Sequence, residues 1–294
     1  MKSQLARAIG RRAAILSTDT DALRLADGEG DGFQDLEIDS FAGHWLVQTR
    51  GDFPEWLRDE AAEAKSIYWK RLGDKTAPVW VAGEKLAEPF LVRENGARFW
   101  IDFHSGYSQG IFLDQRENRR ILRDRAAGKT VLNCFAYTCA FGVSAALGGA
   151  HTTNLDLSKN YLAWGRRNYE ANRLAPAEHD FIFGDVGDWL ARFAKKKRRF
   201  DFVILDPPTF SRDDRGRVFT IEAGLPGLIR AAQQIITPNG AIFCSTNQRS
   251  LTPETFRTLI LTGLAAPPRR PIQLLPMPPD FPGEPYLKAA WIEQ

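Results

Sequence analysis

The rhythm of apolar and polar positions along this chain changes near residue 100. Before that point, short runs such as Leu23-Arg24-Leu25, Leu36-Glu37-Ile38-Asp39 and Trp45-Leu46-Val47-Gln48 alternate or cluster apolar residues between turn signals such as Gly28-Glu29-Gly30-Asp31-Gly32 and Ala42-Gly43. They predict a small β-rich unit. A helix over about 54–64 follows, then strands over 66–70, 89–94 and 97–103, the last two joined by the hairpin signal Asn95-Gly96. Ahead of all of them, residues 1–16 space Lys2, Arg7, Arg11 and Arg12 among apolar positions and read as an amphipathic helix, with a transit peptide as the competing reading.

From Gln115 onward, helical stretches alternate with apolar strands predicted over 130–135, 152–156, 180–185, 200–206 and 240–246, the pattern of a doubly wound α/β sheet. Two last strands, 271–276 and 286–291, are joined by a Pro-rich loop too short for a crossover helix and are therefore expected to pair antiparallel. A terminal antiparallel hairpin on such a sheet points to the class I methyltransferase, Rossmann-like architecture rather than to a dehydrogenase. The expected division is an N-terminal helix and linker over 1–18, a small β-rich α+β domain over 19–103 and a catalytic domain over 104–294.

Composition narrows this only mildly. The 294 residues carry 39 basic and 36 acidic side chains, net +3, so any nucleic-acid surface must be a local patch. Three cysteines, Cys134, Cys139 and Cys244, form no CxxC pair, which argues for a reducing compartment and against a disulfide frame. The four histidines have no second ligand at metal spacing, so no metal site is expected. No apolar run approaches a membrane span, and a cytoplasmic protein is expected.

The chemistry gathers at predicted strand ends. Phe202-Val203-Ile204-Leu205 reads as a buried strand, and Asp206-Pro207-Pro208-Thr209-Phe210 follows it at the position where open α/β sheets meet ligands. Two prolines donate no hydrogen bond and fix two φ angles, which leaves the carbonyls of Asp206 and Pro207 rigid acceptors for a base amino group. A plain Pro-rich turn is the competing reading. The first strand runs into a turn at 133–142 that holds Asn133, Phe135, Tyr137 and Thr138 but a single glycine, Gly142, so it is a weak dinucleotide fingerprint. The second ends at Asp156, followed by Leu157-Ser158, where a carboxylate can hold ribose hydroxyls; the third ends in Gly184-Asp185-Val186, where one can accept from an adenine amino group. Either acid alone reads more readily as the N-cap of the next helix. Their recurrence at three successive strand ends with Asp206 favours a cofactor site.

Phe112-Leu113-Asp114-Gln115-Arg116, the Asn-Cys-Phe-x-Tyr-Thr turn, Leu155-Asp156-Leu157-Ser158, Asp206-Pro207-Pro208-Thr209-Phe210-Ser211 and Tyr286-Leu287-Lys288 together resemble the bacterial 23S ribosomal RNA base methyltransferases that include the cytosine-C5 and guanine-N7 enzymes. The resemblance covers roughly residue 20 to the end, and the N-terminal RNA-binding PUA domain of many members is expected to be absent. It implies S-adenosylmethionine as methyl donor, with Phe112, Gln115 and Arg116 closing over it, Asp156 on its ribose and Asp185 on its adenine. Arg116, Arg119, Arg120, Arg123 and Arg125 read equally as the solvated face of a helix. Cys139 departs from the Gly that members commonly carry, and a side chain there is expected to remodel the cofactor turn.

Residue 247 bears on the methylated atom. Cytosine C5 is attacked only after a cysteine thiolate adds to the ring, and the cytosine branch carries that cysteine after the fifth strand, where this chain has Asn247. Cys244, at an odd offset, is expected in the core. Thr209-Phe210-Ser211 and Asn247-Gln248-Arg249 instead resemble the guanine-N7 branch, which implies that Asp206 and the Pro207 carbonyl hold the guanine edge while Phe210 stacks on it. Transfer to guanine N2 would use the same arrangement. Arg212, Arg215, Arg217 and Arg249 are candidate phosphate contacts, Lys195-Lys196-Lys197-Arg198-Arg199 is expected to be a solvated loop away from the site, and Pro279-Asp280-Phe281-Pro282-Gly283 is expected to be a lid. The expected partner is large-subunit rRNA, bound by a monomer or homodimer. The rivals are a 5-methylcytosine enzyme, a small-molecule methyltransferase and a non-catalytic RNA-binding assembly factor.

Overall fold

The computed structural model describes residues 2–106, 108–212 and 218–294, without the side chains of 60–62, 211 and 212. Its chain forms two compact units, Met1–Arg116 with Met277–Pro285, and Glu117–Pro276 with Tyr286–Gln294. The division thus falls later than residue 103, and a short segment from near the C-terminus belongs to the first unit.

In the first unit, helix α1 (Lys2–Arg12) precedes strands β1 (Ala22–Asp27), β2 (Leu36–Phe41), β3 (His44–Thr49), β4 (Ser66–Arg71) and β5 (Val79–Gly83), which form one sheet in that order. All neighbours are antiparallel except β3 and β4, and parallel strands need a crossover. The stretch expected as an α-helix supplies it as a 3-10 run, Glu55–Ala62. Strands β6 (Phe90–Glu94) and β7 (Ala97–Ile101) form the Asn-Gly hairpin. Helix α1 packs into this unit, with its Leu5 and Ala8 buried with Leu23, Leu25, Ile38, Trp45 and Leu57.

The segment expected to be a lid is anchored within this unit. Asp280, fully buried, accepts from both terminal nitrogens of Arg116 at 2.9 and 2.5 Å and from the Arg24 N–H at 3.0 Å. Its carbonyl accepts from Arg12 at 2.8 Å, Gly283 N–H donates to Asp27 at 2.9 Å, and the Arg24 guanidinium lies 4.8 Å from the Phe281 ring centroid. Buried charge-assisted bonds of this kind are among the strong ones, and they oppose swinging of the segment.

The second unit contains α2 (Arg116–Asp124, entering from the first), β8 (Thr130–Cys134), α3 (Ala140–Leu147), β9 (His151–Asp156), α4 (Lys159–Ala171), β10 (Asp180–Phe183), α5 (Val186–Lys195), β11 (Phe200–Leu205), β12 (Phe210–Arg212), β13 (Val218–Thr220), α6 (Ile221–Gln233), β14 (Ile236–Thr246), α7 (Pro253–Gly263) and β15 (Lys288–Glu293). Its main sheet runs β10-β9-β8-β11-β14-β15, parallel except for β15, with the order reversing between β8 and β11. Side chains alternate between two cores: Val203, Leu205, Ile242 and Cys244 face one, while Phe202, Ile204, Ala241 and Phe243 face the other. Cys244 is therefore core.

The strand expected over 271–276 is reduced to a single bridge, Leu274 with Ala290, beside one Leu275 N–H to Ala289 carbonyl bond of 2.8 Å. Prolines at 271 and 276 donate no ladder bond, so only β15 completes the sheet. In the arginine row, Arg116 and Arg119 are buried and Arg120 pairs with Glu117 and Asp124, so the row is not a uniformly solvated face. Lys195 to Lys197 are exposed and precede the N-terminal end of β11, while Arg198 pairs with Asp180 at 2.7 Å.

Candidate active site

The reversal of strand order between β8 and β11 opens a crevice at their C-terminal ends, because crossovers leave these two strands in opposite directions. Register aligns the neighbouring tips: Leu155 with Cys134, Cys134 with Leu205, Leu205 with Cys244 and Phe183 with Asp156. The residues that follow each tip therefore share one edge of the sheet.

After β8 the chain turns through three non-glycine residues in left-handed conformation, Phe135 (φ 56), Tyr137 (φ 49) and Cys139 (φ 63). Each such residue costs on the order of 1–3 kcal/mol, so its surroundings must hold it. Tyr137 N–H donates to Asp156 Oδ2 at 2.8 Å, Ala136 N–H to the Leu155 carbonyl at 3.1 Å, and Asn168 to the Thr138 carbonyl at 2.9 Å. Asn133 donates to Asn154 at 3.0 Å, and the Tyr137 ring meets Tyr161 edge-on at 4.6 Å.

Cys139 does not remodel this turn. It takes the glycine-like φ, and its buried sulfur occupies the space next to Gly165, where an added Cβ would lie 2.3 Å from Sγ. Gly165→Ala is expected to lower stability by roughly 1–3 kcal/mol through overpacking, read as a fall in melting temperature. An unchanged melting temperature would show that α4 moves freely.

Asp156 is no helix cap: Ser158 caps α4, accepting from Tyr161 N–H at 3.2 Å. Its carboxylate instead accepts from Tyr137 N–H and, through Oδ1, from Ser158 N–H at 2.8 Å. Burial raises its pKa, against the opposing pull of the backbone donors of Tyr137, Ser158 and Leu157. Asp185 is a cap, accepting from Asp188 N–H at 2.9 Å, and Val186 is buried behind it. Leu157 and Phe183 are half exposed beside these acids, an apolar surface suited to a flat ring.

At the other side of the crevice Asp206 is partly buried, Pro207 is buried and Pro208 is exposed. The fully buried Ser245 donates to Asp206 Oδ1 at 2.6 Å. Phe210, on the β12–β13 hairpin, is 60% exposed. Asn247 is exposed, and the Arg249 guanidinium lies 4.4 Å from the centroid of the Tyr286 ring. Lys288 Nζ donates to the carbonyls of Gln248 and Tyr286, each at 3.0 Å, which braces the loop after β14. Arg215, Arg217 and the side chain of Arg212 lie outside the described residues. Phe112, Gln115 and Arg116 belong to the first unit, where Phe112 is 38% exposed, Gln115 is buried and Arg116 is held by Asp280. The reading of the residues missed Ser245; its signal was its place one residue past Cys244, the register partner of Leu205.

Residues 35–290 match the family model for S-adenosylmethionine-dependent methyltransferases. The chain belongs to this family. YwbD of Bacillus subtilis (strain 168), named as a candidate ribosomal RNA large subunit methyltransferase, is 37% identical to this methyltransferase over 88% of the chain and 69% of its own length. A protein of Deinococcus radiodurans named ribosomal RNA large subunit methyltransferase is 30% identical over 99% of the chain and 78% of its own length. Ribosomal RNA large subunit methyltransferase I of Aeromonas salmonicida is 33% identical over 74% of the chain, which spans 59% of that relative. The crystal structure of SMU.776, a protein complexed with SAH, superposes with a TM-score of 0.89 at 32% identity, over 99% of this chain and 80% of that one.

The donor set of this methyltransferase suits its cofactor. The lone pairs of Asp156 not taken by backbone can accept from ribose hydroxyls, and Leu157 presents an apolar face beside them. Among the described residues no three His, Cys, Asp or Glu side chains gather to hold a metal ion, and no helix is long and apolar enough to cross a membrane.

Proposed function

We propose that this methyltransferase acts on a base of large-subunit ribosomal RNA in the cytoplasm, with guanine as the target. The observation that carries the reading is the Asp206-Pro207-Pro208 tip with the exposed Phe210 beyond it. S-adenosylmethionine supplies an electrophilic methyl group when bound. The work left to the chain is to hold a flat, polar-edged acceptor in line with that group.

Asp206 and Pro207 bring acceptors to this tip: a carboxylate, which only accepts when ionised, and the carbonyl of a residue without N–H. Guanine presents two neighbouring donors, N1–H and N2–H, whereas adenine and cytosine present one donor beside an acceptor. Acceptor-only chemistry therefore favours guanine. Phe210 would stack on the extruded ring. The names of the Bacillus, Aeromonas and Deinococcus relatives support ribosomal RNA as the substrate class. Asp156 and Asp185, with Leu157, would carry the ribose and adenine of the cofactor, and Arg249 a phosphate.

Cytosine C5 chemistry is disfavoured because it needs an accessible thiolate. Cys134, Cys139 and Cys244 are all buried, and burial pushes each thiol well above its ordinary pKa.

The test is transfer of labelled methyl to rRNA from a strain lacking the gene, followed by nucleoside mass spectrometry. Methylguanosine is expected; labelled 5-methylcytidine would overturn the base assignment, and no incorporation into rRNA would overturn the substrate class. Phe210→Ala is expected to raise KM for RNA about 10- to 100-fold with kcat nearly kept, since one base–aromatic stack contributes roughly 1–3 kcal/mol. An unchanged KM would place the target elsewhere.

A further inference from the structure

The basic run at the end of α5 takes no part in the site at the strand tips. Helix α5 buries Val186, Leu190 and Phe193 and turns Ala191, Arg192, Lys195 and Lys196 outward, where they line an open hollow of about 600 Å³. Arg192, Lys195 and Lys196 stand at i, i+3 and i+4 and share one face. The Arg192 guanidinium stacks over Trp189, 4.3 Å from its ring centroid, rather than pairing with Asp188 one turn earlier. Lys195, Lys196 and Lys197 are exposed, and among the described residues none of them pairs with a carboxylate. By contrast, the exposed Arg58, Arg71, Arg93 and Arg120 each hold an acid. In a chain of net charge +3, this is a local excess of positive charge that nothing around it neutralises.

The end of α5 keeps that charge against local backbone preference. Arg198 N–H donates to the Phe193 carbonyl and Lys197 N–H to the Ala194 carbonyl, each at 3.0 Å, the two bonds that close a helix through a left-handed residue. That residue is Lys197 (φ 55), where glycine would sit without strain. The helix dipole favours cations in the last turn, but its reach does not extend to Lys197 or to the exposed Arg199 beyond it. The run precedes β11, whose other end leads into Asp206, and six strand residues span about 20 Å. A free nucleoside cannot reach from one end to the other, whereas a nucleic acid carries a phosphate about every 3.4 Å of each strand. We propose that Arg192, Lys195, Lys196 and Lys197 form a phosphate-contact surface for the rRNA substrate, remote from the target base. This rests on the assignment of RNA as the substrate. Contacts of this kind set affinity and register, while groups at the strand tips select the base.

The experiment follows binding and methylation of rRNA from the strain lacking the gene as salt is varied, for four full-length proteins. They are wild type, the triple variant Lys195→Gln/Lys196→Gln/Lys197→Gln, Lys197→Gly, and the control Arg7→Gln/Lys75→Gln/Lys85→Gln, which neutralises three exposed cations elsewhere. In the triple variant KM for rRNA at low salt is expected to rise at least about tenfold. The slope of log affinity against log salt should become shallower by about 2 to 3, since each lost phosphate contact removes about 0.7 to 0.9. Its kcat at saturating RNA, its calorimetric affinity for S-adenosylmethionine and its melting temperature should stay near wild type. Lys197→Gly should raise the melting temperature by relieving the left-handed backbone and yet raise KM for rRNA about two- to fourfold; a purely structural lysine would move only the first. The control should keep the wild-type KM. Wild-type KM and salt slope in the triple variant, with rRNA still methylated, overturn this proposal alone. An equal change in the control means that net charge rather than this surface sets affinity, and overturns it too. If cofactor affinity and melting temperature fall in parallel with RNA binding, the lysines are structural and the proposal fails. A wild type that neither binds nor methylates rRNA overturns the substrate reading as well.

Discussion

Asp206→Ala is expected to reduce methyl transfer to rRNA by at least about 10²- to 10³-fold, the range seen when one preorganised polar group is removed from a reacting centre. The aspartate follows a fully buried strand, Phe202 to Leu205, and is followed by a proline pair that restricts the backbone on its C-terminal side. Its position is thus set on one side by the core and on the other by two fixed φ angles. Alanine removes the acceptor without disturbing either constraint, so the melting temperature should hold within a degree or two of wild type. Ser245 would lose the carboxylate oxygen to which it donates at 2.6 Å, but a small hydroxyl can turn to another acceptor or admit water. Initial rates with labelled S-adenosylmethionine, beside calorimetric binding of the same cofactor, check the prediction. Turnover within tenfold of wild type would remove Asp206 from the chemistry.

Arg24→Met should be the costliest substitution for folding in the first unit, at about 3–5 kcal/mol, because it strips the partner from a buried cluster of acids. The Arg24 guanidinium lies 2.8 Å from Asp27, 3.0 Å from Glu37 and 2.6 Å from Asp39, and the arginine is only 6% exposed. Burial lifts the Asp39 pKa from 3.8 to about 6 even though Arg24 pulls it down. The folded state therefore holds a proton on Asp39 more readily than the unfolded chain does. That contribution to stability is complete below the unfolded value of 3.8 and is lost as pH rises through about 6. In Arg24→Met the downward pull disappears, the window widens upward, and the gap to wild type is greatest above pH 6 and narrows toward pH 4. Urea midpoints at pH 5 and pH 8 read this directly. A gap of the same size at both values would mean that the three acids find other partners.

The local pattern of the chain was sufficient for the alternation of helices and strands after Gln115, for the hairpin at Asn95-Gly96 and for the burial of Cys244. Each depends on side chains a few residues apart, where the periods of 2 and 3.6 operate. The same reasoning missed β5, whose Val79-Trp80-Val81-Ala82 run is apolar but too short to show a period and whose Val79 and Trp80 end up exposed, and it extended a strand into 271–276, where two prolines remove ladder donors. The acids at the strand ends were legible, yet whether each served as a cap was not. Asp185 caps its helix while Asp156 leaves that task to Ser158 and props the turn after β8, a choice made by the Tyr137 N–H arriving from that turn. Tertiary structure alone decided that Arg116 meets Asp280 across 164 positions, which turned an expected lid into an anchored segment, and that Ser245 meets Asp206 across 39. Such pairs leave no periodic trace in a sequence, because their separation is set by loop lengths and sheet order. Only closure of the fold brings the two groups within reach of one hydrogen bond.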